Sequence, residues 1–294
     1  MSNKTILITG ATGQQGGAVA RRLLKQPGFG VRALTRDSAK PAARALAQAG
    51  TEIFRGDLDD PASVRGALAG IWGVFSVQNF MEAGYDGEIR QGKNLADEAK
   101  AAGVQHFVYT SVVSADRKTG LPHFESKWEI EQHIHRCGLP YTILRPAFFM
   151  QNWYVFMREP ILDGTLPQPL NPQTSLQQIS VEDIGAFAAM AFQNSSKWAG
   201  RTIELAGDEL TMQRVAETLS RVVGRNVKYV QVPWEQFRQD AGEEMTKMYR
   251  WFNDEGYHVD IPALRKEYPN LSTLEKALRQ QDWAAAAAAT RKAA

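Results

Sequence analysis

The chain has 294 residues, 44% hydrophobic and 22% charged, with a formal net charge of +2. That mixture suits one large folded domain, or a domain with a smaller partner, and excludes global disorder. The near-balanced charge gives no electrostatic case for nucleic acid or a membrane surface.

The single cysteine, Cys137, excludes an internal disulfide and any cysteine-based metal cluster, so no metal is expected. Set among Ile134, Leu139 and Pro140, it reads as a buried, inert thiol. No stretch approaches the roughly 20 apolar residues a membrane crossing needs. The opening "MSNKTILITGATG" has no signal-peptide layout, so a cytoplasmic protein is expected. The run Ala284–Ala289, flanked by Asp282, Arg291 and Lys292, reads as a frayed helical tail.

In chain order, "TILITG" (Thr5–Gly10) reads as a strand running into glycines. From Gly16, residues Ala20, Leu23 and Leu24 recur at helical spacing, and Pro27-Gly28 ends that helix. Further strands are expected at 31–36, 51–57, 72–78, 105–111 and 141–146, with helices near 38–49, 61–69, 86–102 and 122–137. This alternation predicts an α/β fold: a Rossmann-type doubly wound parallel sheet with a smaller, mostly helical C-terminal lobe. From about Asn152 the pattern loosens, and "REPILDGTLPQPLNPQTS" reads as a loop region or the start of the smaller lobe. "SVED" (Ser180–Asp183) opens an apolar helix with a capping pattern, and "RTIELAG" (Arg201–Gly207) reads as one more strand. The helical "MQRVAETLSRVVG", the strand-like "VKYVQVP" and several helices follow, with no internal repeat. The expected organisation is a dinucleotide-binding domain over 1–152, with 178–207 returning to it. Residues 153–177 and 208–294 form the smaller substrate or partner lobe.

"GATGQQGG" lies between the first strand and first helix and places Gly10, Gly13 and Gly16 in a G-x-x-G-x-x-G spacing. Such glycines permit the turn, the approach of backbone to a pyrophosphate and the packing of helix on strand. The phosphate then meets the free N–H groups at the helix start. At the end of the second strand, NAD binders usually carry an acid and NADP binders an arginine. Here "LTRDSAK" offers Arg36 and Lys40 as a clamp on a 2′-phosphate, with Asp37 following the arginine. NADP(H) is therefore favoured over NAD(H). Asp57-Leu58 would receive the adenine amine, or Asp57 would cap the helix from Pro61. Gln78 and Asn79, at the end of the fourth strand, should border the nicotinamide ribose.

The ordered set "ILITGATGQQGGAVARRLL", "VRALTRD", "GDLDDPASV", "EIRQGKNLADEAKAAGVQHFVYTS", "HFESKWEIEQHI", "GLPYTILRPAFFMQNW" and "ISVEDIGAFAA" resembles the NmrA-like family. This is the atypical branch of the short-chain dehydrogenase/reductase superfamily, and the resemblance spans essentially the whole chain. It implies that the loop Gly10–Gly16, including Thr12, Gln14 and Gln15, holds the pyrophosphate, and Arg36 with Lys40 the 2′-phosphate. It implies further that Asp57-Leu58 meets adenine, that Gln78, Asn79 and Phe80 border the cofactor ribose region, and that Lys127 reaches the nicotinamide ribose. Phe149–Asn152, with Phe149 and Asn152 at its ends, would close over the nicotinamide. Arg90 stands where the family can carry a cofactor-proximal lysine. Members of the family include nonenzymatic NADP(H) sensors that contact transcription factors, and NAD(P)H-dependent reductases.

On a helix opening near Pro122, His123, Lys127, Ile130, Ile134 and Cys137 share one face. Lys127 thus lies on a largely apolar stripe and needs an acceptor, which cofactor ribose hydroxyls would supply. The alternative is a lysine snorkelling at the sheet edge. Typical short-chain dehydrogenases carry Tyr-x-x-x-Lys here, and the tyrosine position is His123. His123 and Lys127 are the catalytic candidates, histidine being able to move a proton near neutral pH. Tyr109 and Tyr141 lie on strands, while Thr110 and Ser111 would orient substrate.

Two functions are expected. One is an NADP(H)-binding redox sensor or regulator, lacking the usual tyrosine and contacting a protein such as a transcription regulator. The other is an NADPH-dependent oxidoreductase reducing a quinone, aldehyde or similar small electrophile, lined by Phe80, Phe148, Phe149, Trp153 and Tyr154. Whether the chain is an enzyme stays open at this point. Direct DNA binding has no basic stripe or helix-turn-helix to support it.

Overall fold

The computed structural model describes residues 4–283; the expected tail at Ala284–Ala289 lies outside the described residues. The chain divides into two units: Met1–Pro146 with Val181–Glu204, and Ala147–Ser180 with Leu205–Ala294.

The first unit is built on β1 (Lys4–Ile8), α1 (Gln14–Leu24), β2 (Phe29–Thr35), α2 (Pro41–Gln48), β3 (Glu52–Arg55), α3 (Pro61–Ala67) and β4 (Gly73–Ser76). It continues with α4 (Phe80–Ala101), β5 (His106–Thr110), α5 (Pro122–Cys137) and β6 (Tyr141–Pro146). A seven-stranded sheet runs in the order Arg201–Leu205, β6, β5, β4, β1, β2, β3. All pairings from β3 through to β6 are parallel, with Ile6 opposite both Val31 and Gly73. The chain order therefore reverses between β1 and β4, the switch point at which ligands bind beyond the strand ends.

Helices cover both faces, as the near-continuous apolar strands require. On one face Val64, Leu95, Ala96, Ile130 and Ile134 pack with Leu7, Phe107 and Ile143. The helices α4 and α5 approach so closely that a Cβ on Gly92 would lie 2.6 Å from Ile130 Cδ1. The apolar helix Val181–Gln193 packs on α1, where a Cβ on Gly185 would stand 2.9 Å from the Ala18 carbonyl carbon. At the end of α5, Cys137 is half-buried rather than buried, and its thiol donates to Asp97 Oδ1 at 3.4 Å.

In the second unit, Ser175–Ile179 pairs antiparallel with Asp208–Thr211 and parallel with Phe148–Phe149. A separate ribbon joins Thr165–Gln168 in parallel to Lys228–Gln231. The stretch read as a loop region thus holds a helix, Arg158–Leu162, and a strand. Burial explains the difference: Ile161, Leu166 and Leu170 are fully buried and anchor a segment whose prolines and asparagine look like turn signals. Helices Met212–Val223, Trp234–Ala241 and Glu243–Asp254 are the longest in the unit, so it is mostly helical. Among the described residues no helix is long and apolar enough to cross a membrane.

Candidate functional site

The glycine loop is shaped by steric necessity. Gly10 has φ +57, and a Cβ there would strike Val77 Cγ1 at 2.7 Å. The Gly13 N–H donates to the Gly10 carbonyl at 2.9 Å, and a Cβ on Gly16 would come within 2.4 Å of that same oxygen. Helix α1 then starts at Gln14 with no side-chain cap and no acid in its first turn, leaving its N–H groups and dipole for an anion. Thr12, Gly13 and Gln14 are exposed, whereas Gln15 is half-buried and its Oε1 accepts from Thr110 Oγ1 at 2.7 Å. Thr9 Oγ1 both donates to the Val77 carbonyl and accepts from its N–H, each at 2.8 Å. These bonds join the ends of β1, β4 and β5 around the switch point.

Arg36 stands exposed at the end of β2, its Nη2 donating to Glu82 Oε2 at 2.5 Å. The hydrogen bond and charge of Glu82 raise its pKa, and the charges of Asp57 and Asp59 add to this. Lys40 is exposed at the N-cap of α2. Asp57 does not cap α3; Asp60 does, through the Ala62 N–H at 3.0 Å. Asp57 instead accepts from the Asp59 N–H at 3.0 Å, and Leu58 packs against the core. Arg90 is paired with Asp59 at 2.7 Å. Hydrogen bonds from Gln91 and then Arg90 hold the Asp59 carboxyl below its ordinary range.

Beyond β4, Gln78 is buried, with Nε2 donating to Ser76 Oγ at 3.0 Å and Oε1 lacking a partner among the described residues. Asn79 caps α4 through the Met81 N–H at 3.2 Å. The Phe80 ring lies 5.6 Å from that of His123, which also packs edge-on against Phe124 at 4.8 Å. The first turn of α4 is set off from the rest by Gly84, whose φ of 68 and ψ of −176 are not helical.

Lys127 has its acceptor inside the protein. Its Nζ donates to Glu88 Oε1, and Ser126 Oγ donates to Glu88 Oε2 at 2.5 Å. The Glu88 side chain is fully buried and that of Lys127 is 17% exposed, so the ammonium is anchored on a buried carboxylate. Tyr109 is sealed nearby in the core: burial, then the charges of Glu88 and Glu131, push its phenol well above the ordinary range. A second buried network pairs Arg145 with Glu131 in bidentate fashion at 3.0 and 2.7 Å and with Asp116 at 3.0 Å.

Sequence reasoning missed Glu88 and Glu131, yet a signal existed. Glu88 stands at helical spacing with buried Gly92, Leu95, Ala96 and Ala99, a carboxylate on an apolar stripe. All the anticipated site residues up to Lys127 lie in the first unit. Phe149 and Asn152 belong to the second, Phe149 ending a short strand and Asn152 starting a helix. Of the aromatic residues expected to line a substrate pocket, Phe148 and Trp153 are core of that second unit, their rings 5.1 Å apart.

The NmrA-like family model matches residues 2–280. The NAD(P)H azoreductase of Xenophilus azovorans is 32% identical over 235 residues, covering 80% of this chain and 79% of the relative. The solved structure of NmrA, a negative transcriptional regulator, in complex with NADP shares the fold with a TM-score of 0.81 at 24% identity, over 96% of this chain and 99% of that one. The NADPH-dependent quinone oxidoreductase QOR2 of Escherichia coli, complexed with NADPH, superposes with a TM-score of 0.78 at 26% identity, over 94% and 99%.

Proposed function

The chain belongs to the NmrA-like family, and from that premise we propose that it binds NADP(H) and reduces a small conjugated electrophile, a quinone or an azo compound. The residues fit the dinucleotide. The glycine turn brings backbone against any phosphate at the start of α1, and Arg36 with Lys40 offers cations for a 2′-phosphate. Bound NADPH would supply the hydride. The chain's own part is to hold and orient: the first-turn N–H groups of α1 take the pyrophosphate. The Lys127 ammonium, fixed by Glu88, donates to ribose hydroxyls.

The observation that carries the substrate class is the residue four before Lys127, a histidine in the position of the usual phenol. Position 123 is a histidine packed against two aromatic rings, and Tyr109 is sealed in the core. Reduction of an aldehyde generates a strongly basic alkoxide that needs a positioned acid. Reduction of a quinone, or of a hydroxyaryl azo dye in its quinone-hydrazone form, leaves a delocalised, weakly basic phenolate that water can protonate. The azoreductase and quinone oxidoreductase relatives support that choice.

NADPH oxidation measured against quinones, azo dyes and simple aldehydes tests this. Turnover is expected with the first two and not the third. His123→Phe should retain it within about threefold, and Lys127→Ala should lose at least about tenfold, as for a positioning contact. Aldehyde turnover that disappears in His123→Phe would overturn the reading, as would NADPH binding without oxidation by any quinone or azo dye. A second reading, a cofactor-state sensor acting on a protein partner such as a transcription regulator, is favoured by one contact. The Arg36–Glu82 pair must be exchanged when a 2′-phosphate arrives.

A further inference from the structure

We propose that Glu82 tunes the cofactor preference of this site by competing with the 2′-phosphate for Arg36, from a helical turn that Gly84 leaves free to swing. The proposal rests on the NADP(H) reading above and deepens it.

The Arg36–Glu82 contact is a single ion pair with both side chains more than half exposed, 61% and 56%. Such pairs contribute little and are screened, so a phosphate dianion that can engage the guanidinium fork on two edges displaces the carboxylate. Displacement alone is not enough. A Glu82 carboxylate left in place beside the phosphate would repel it, in a neighbourhood where Asp57 and Asp59 already add negative charge. Arg90 and Gln91 hold Asp59, but among the described residues nothing comparable is engaged with Glu82 besides Arg36. The carboxylate must therefore move away.

The backbone provides for that movement. Residues 80–83 form one turn, tied to Asn79 through the N–H groups of Glu82 and Ala83 and separated from the main helix by Gly84. At Gly84 φ is positive, and a Cβ there would meet nothing within 4 Å. The turn has little packing to lose, since Met81 is 80% exposed. The same turn begins with Asn79 and Phe80, the residues assigned to the ribose side. A swing of Glu82 is thereby transmitted to them and, through the Phe80 ring, to His123. NADH carries a ribose 2′-hydroxyl in place of the phosphate. That hydroxyl tolerates an accepting carboxylate, so NADH leaves Glu82 where it is.

The test is the dissociation constant of NADPH and of NADH, from quenching of tryptophan fluorescence, for wild type, Glu82→Gln and Arg36→Ala. Glu82→Gln should tighten NADPH by about tenfold, equivalent to about 1.4 kcal/mol, and leave NADH within about twofold. An unchanged NADPH-to-NADH ratio in Glu82→Gln, with Arg36→Ala still abolishing the preference, overturns the role of Glu82 alone. An unchanged ratio in Arg36→Ala overturns the clamp itself. Hydrogen exchange over 80–86 reads the swing without activity: NADPH should alter it and NADH should not. Equal protection by both cofactors sinks the movement.

Discussion

His106 is held neutral by its neighbours. Thr142 Oγ1 donates to the Trp198 carbonyl at 2.8 Å, so at 2.9 Å from His106 Nε2 it receives the ring proton. Nδ1 is buried without a partner among the described residues, and a second proton there would create an unpaired buried cation. Burial, with a smaller push from Lys4, lowers the pKa to about 4. Because the folded value lies below the unfolded one, the unfolded chain binds the extra proton first. The stability at stake is fully present above about pH 6.5 and is lost as pH falls towards 4, up to roughly 3 kcal/mol. Urea titrations at pH 7 and 4.5 should show wild type losing about 2 kcal/mol more than His106→Gln across that interval; equal losses would refute this account. At Cys137, burial and then the Asp97 carboxylate push the thiol up to about 11. Iodoacetamide should label it slowly at pH 8, and Asp97→Asn should raise the rate several-fold. The demand of Lys127 for an acceptor was legible from its apolar stripe, but its partner was not. Pairing Lys127 with Glu88 requires knowing that α4 and α5 pack together, which no pattern on either helix states by itself.

Two glycines bring helices into contact, and their replacement separates two kinds of resistance. Gly92 meets only side-chain atoms of Ile130, with Cδ1, Cγ1 and Cγ2 at 2.6, 2.8 and 2.9 Å from a Cβ, whereas Gly185 meets the backbone of Ala18. Gly185→Ala should therefore cost about 1–3 kcal/mol in urea unfolding. It should also weaken NADPH binding, because α1 must shift and its first turn is the end proposed to hold the phosphate. Gly92→Ala should also be destabilising, because β-branched Ile130 cannot turn both branches away, but it should leave binding unchanged, since it does not press on α1. Equal effects on binding would refute the distinction. Strands β1 to β6 were legible because each is a short apolar run closed by turn residues, and β6 spans the residues its pattern marks. The start of α4 was not. It begins at Phe80 rather than Asp86, because Gly84 and exposed Met81 and Glu82 break the apolar period that reveals a helix.

The parallel α/β architecture follows from strand-helix alternation, since parallel neighbours need a crossover and a helix supplies it. The small sheets of the second unit leave a fainter trace. Their strands are two to five residues long and one carries Pro167, so apart from Lys228–Gln231, whose pattern is strand-like, they look like loop until their partners are known. The first unit is also discontinuous, taking its seventh strand and the helix over α1 from Val181–Glu204 and the adjoining Leu205. A chain ending at Pro146 should lack cooperative thermal unfolding by circular dichroism and bind no NADPH. It would leave β6 an open edge and remove buried Ile184, Phe187 and Phe192. A sharp melting transition with retained binding would contradict this. The same discontinuity imposes an order on synthesis. When Pro146 leaves the ribosome the sheet still has a bare edge and α1 a bare apolar side. Both wait until Ala147–Ser180 and then 181–205 have been added, which at roughly 5–20 residues per second takes several seconds. In that interval the nascent chain is a template for pairing with its neighbours on the same message, so its yield in a cell depends on chaperone supply more than its final stability would suggest.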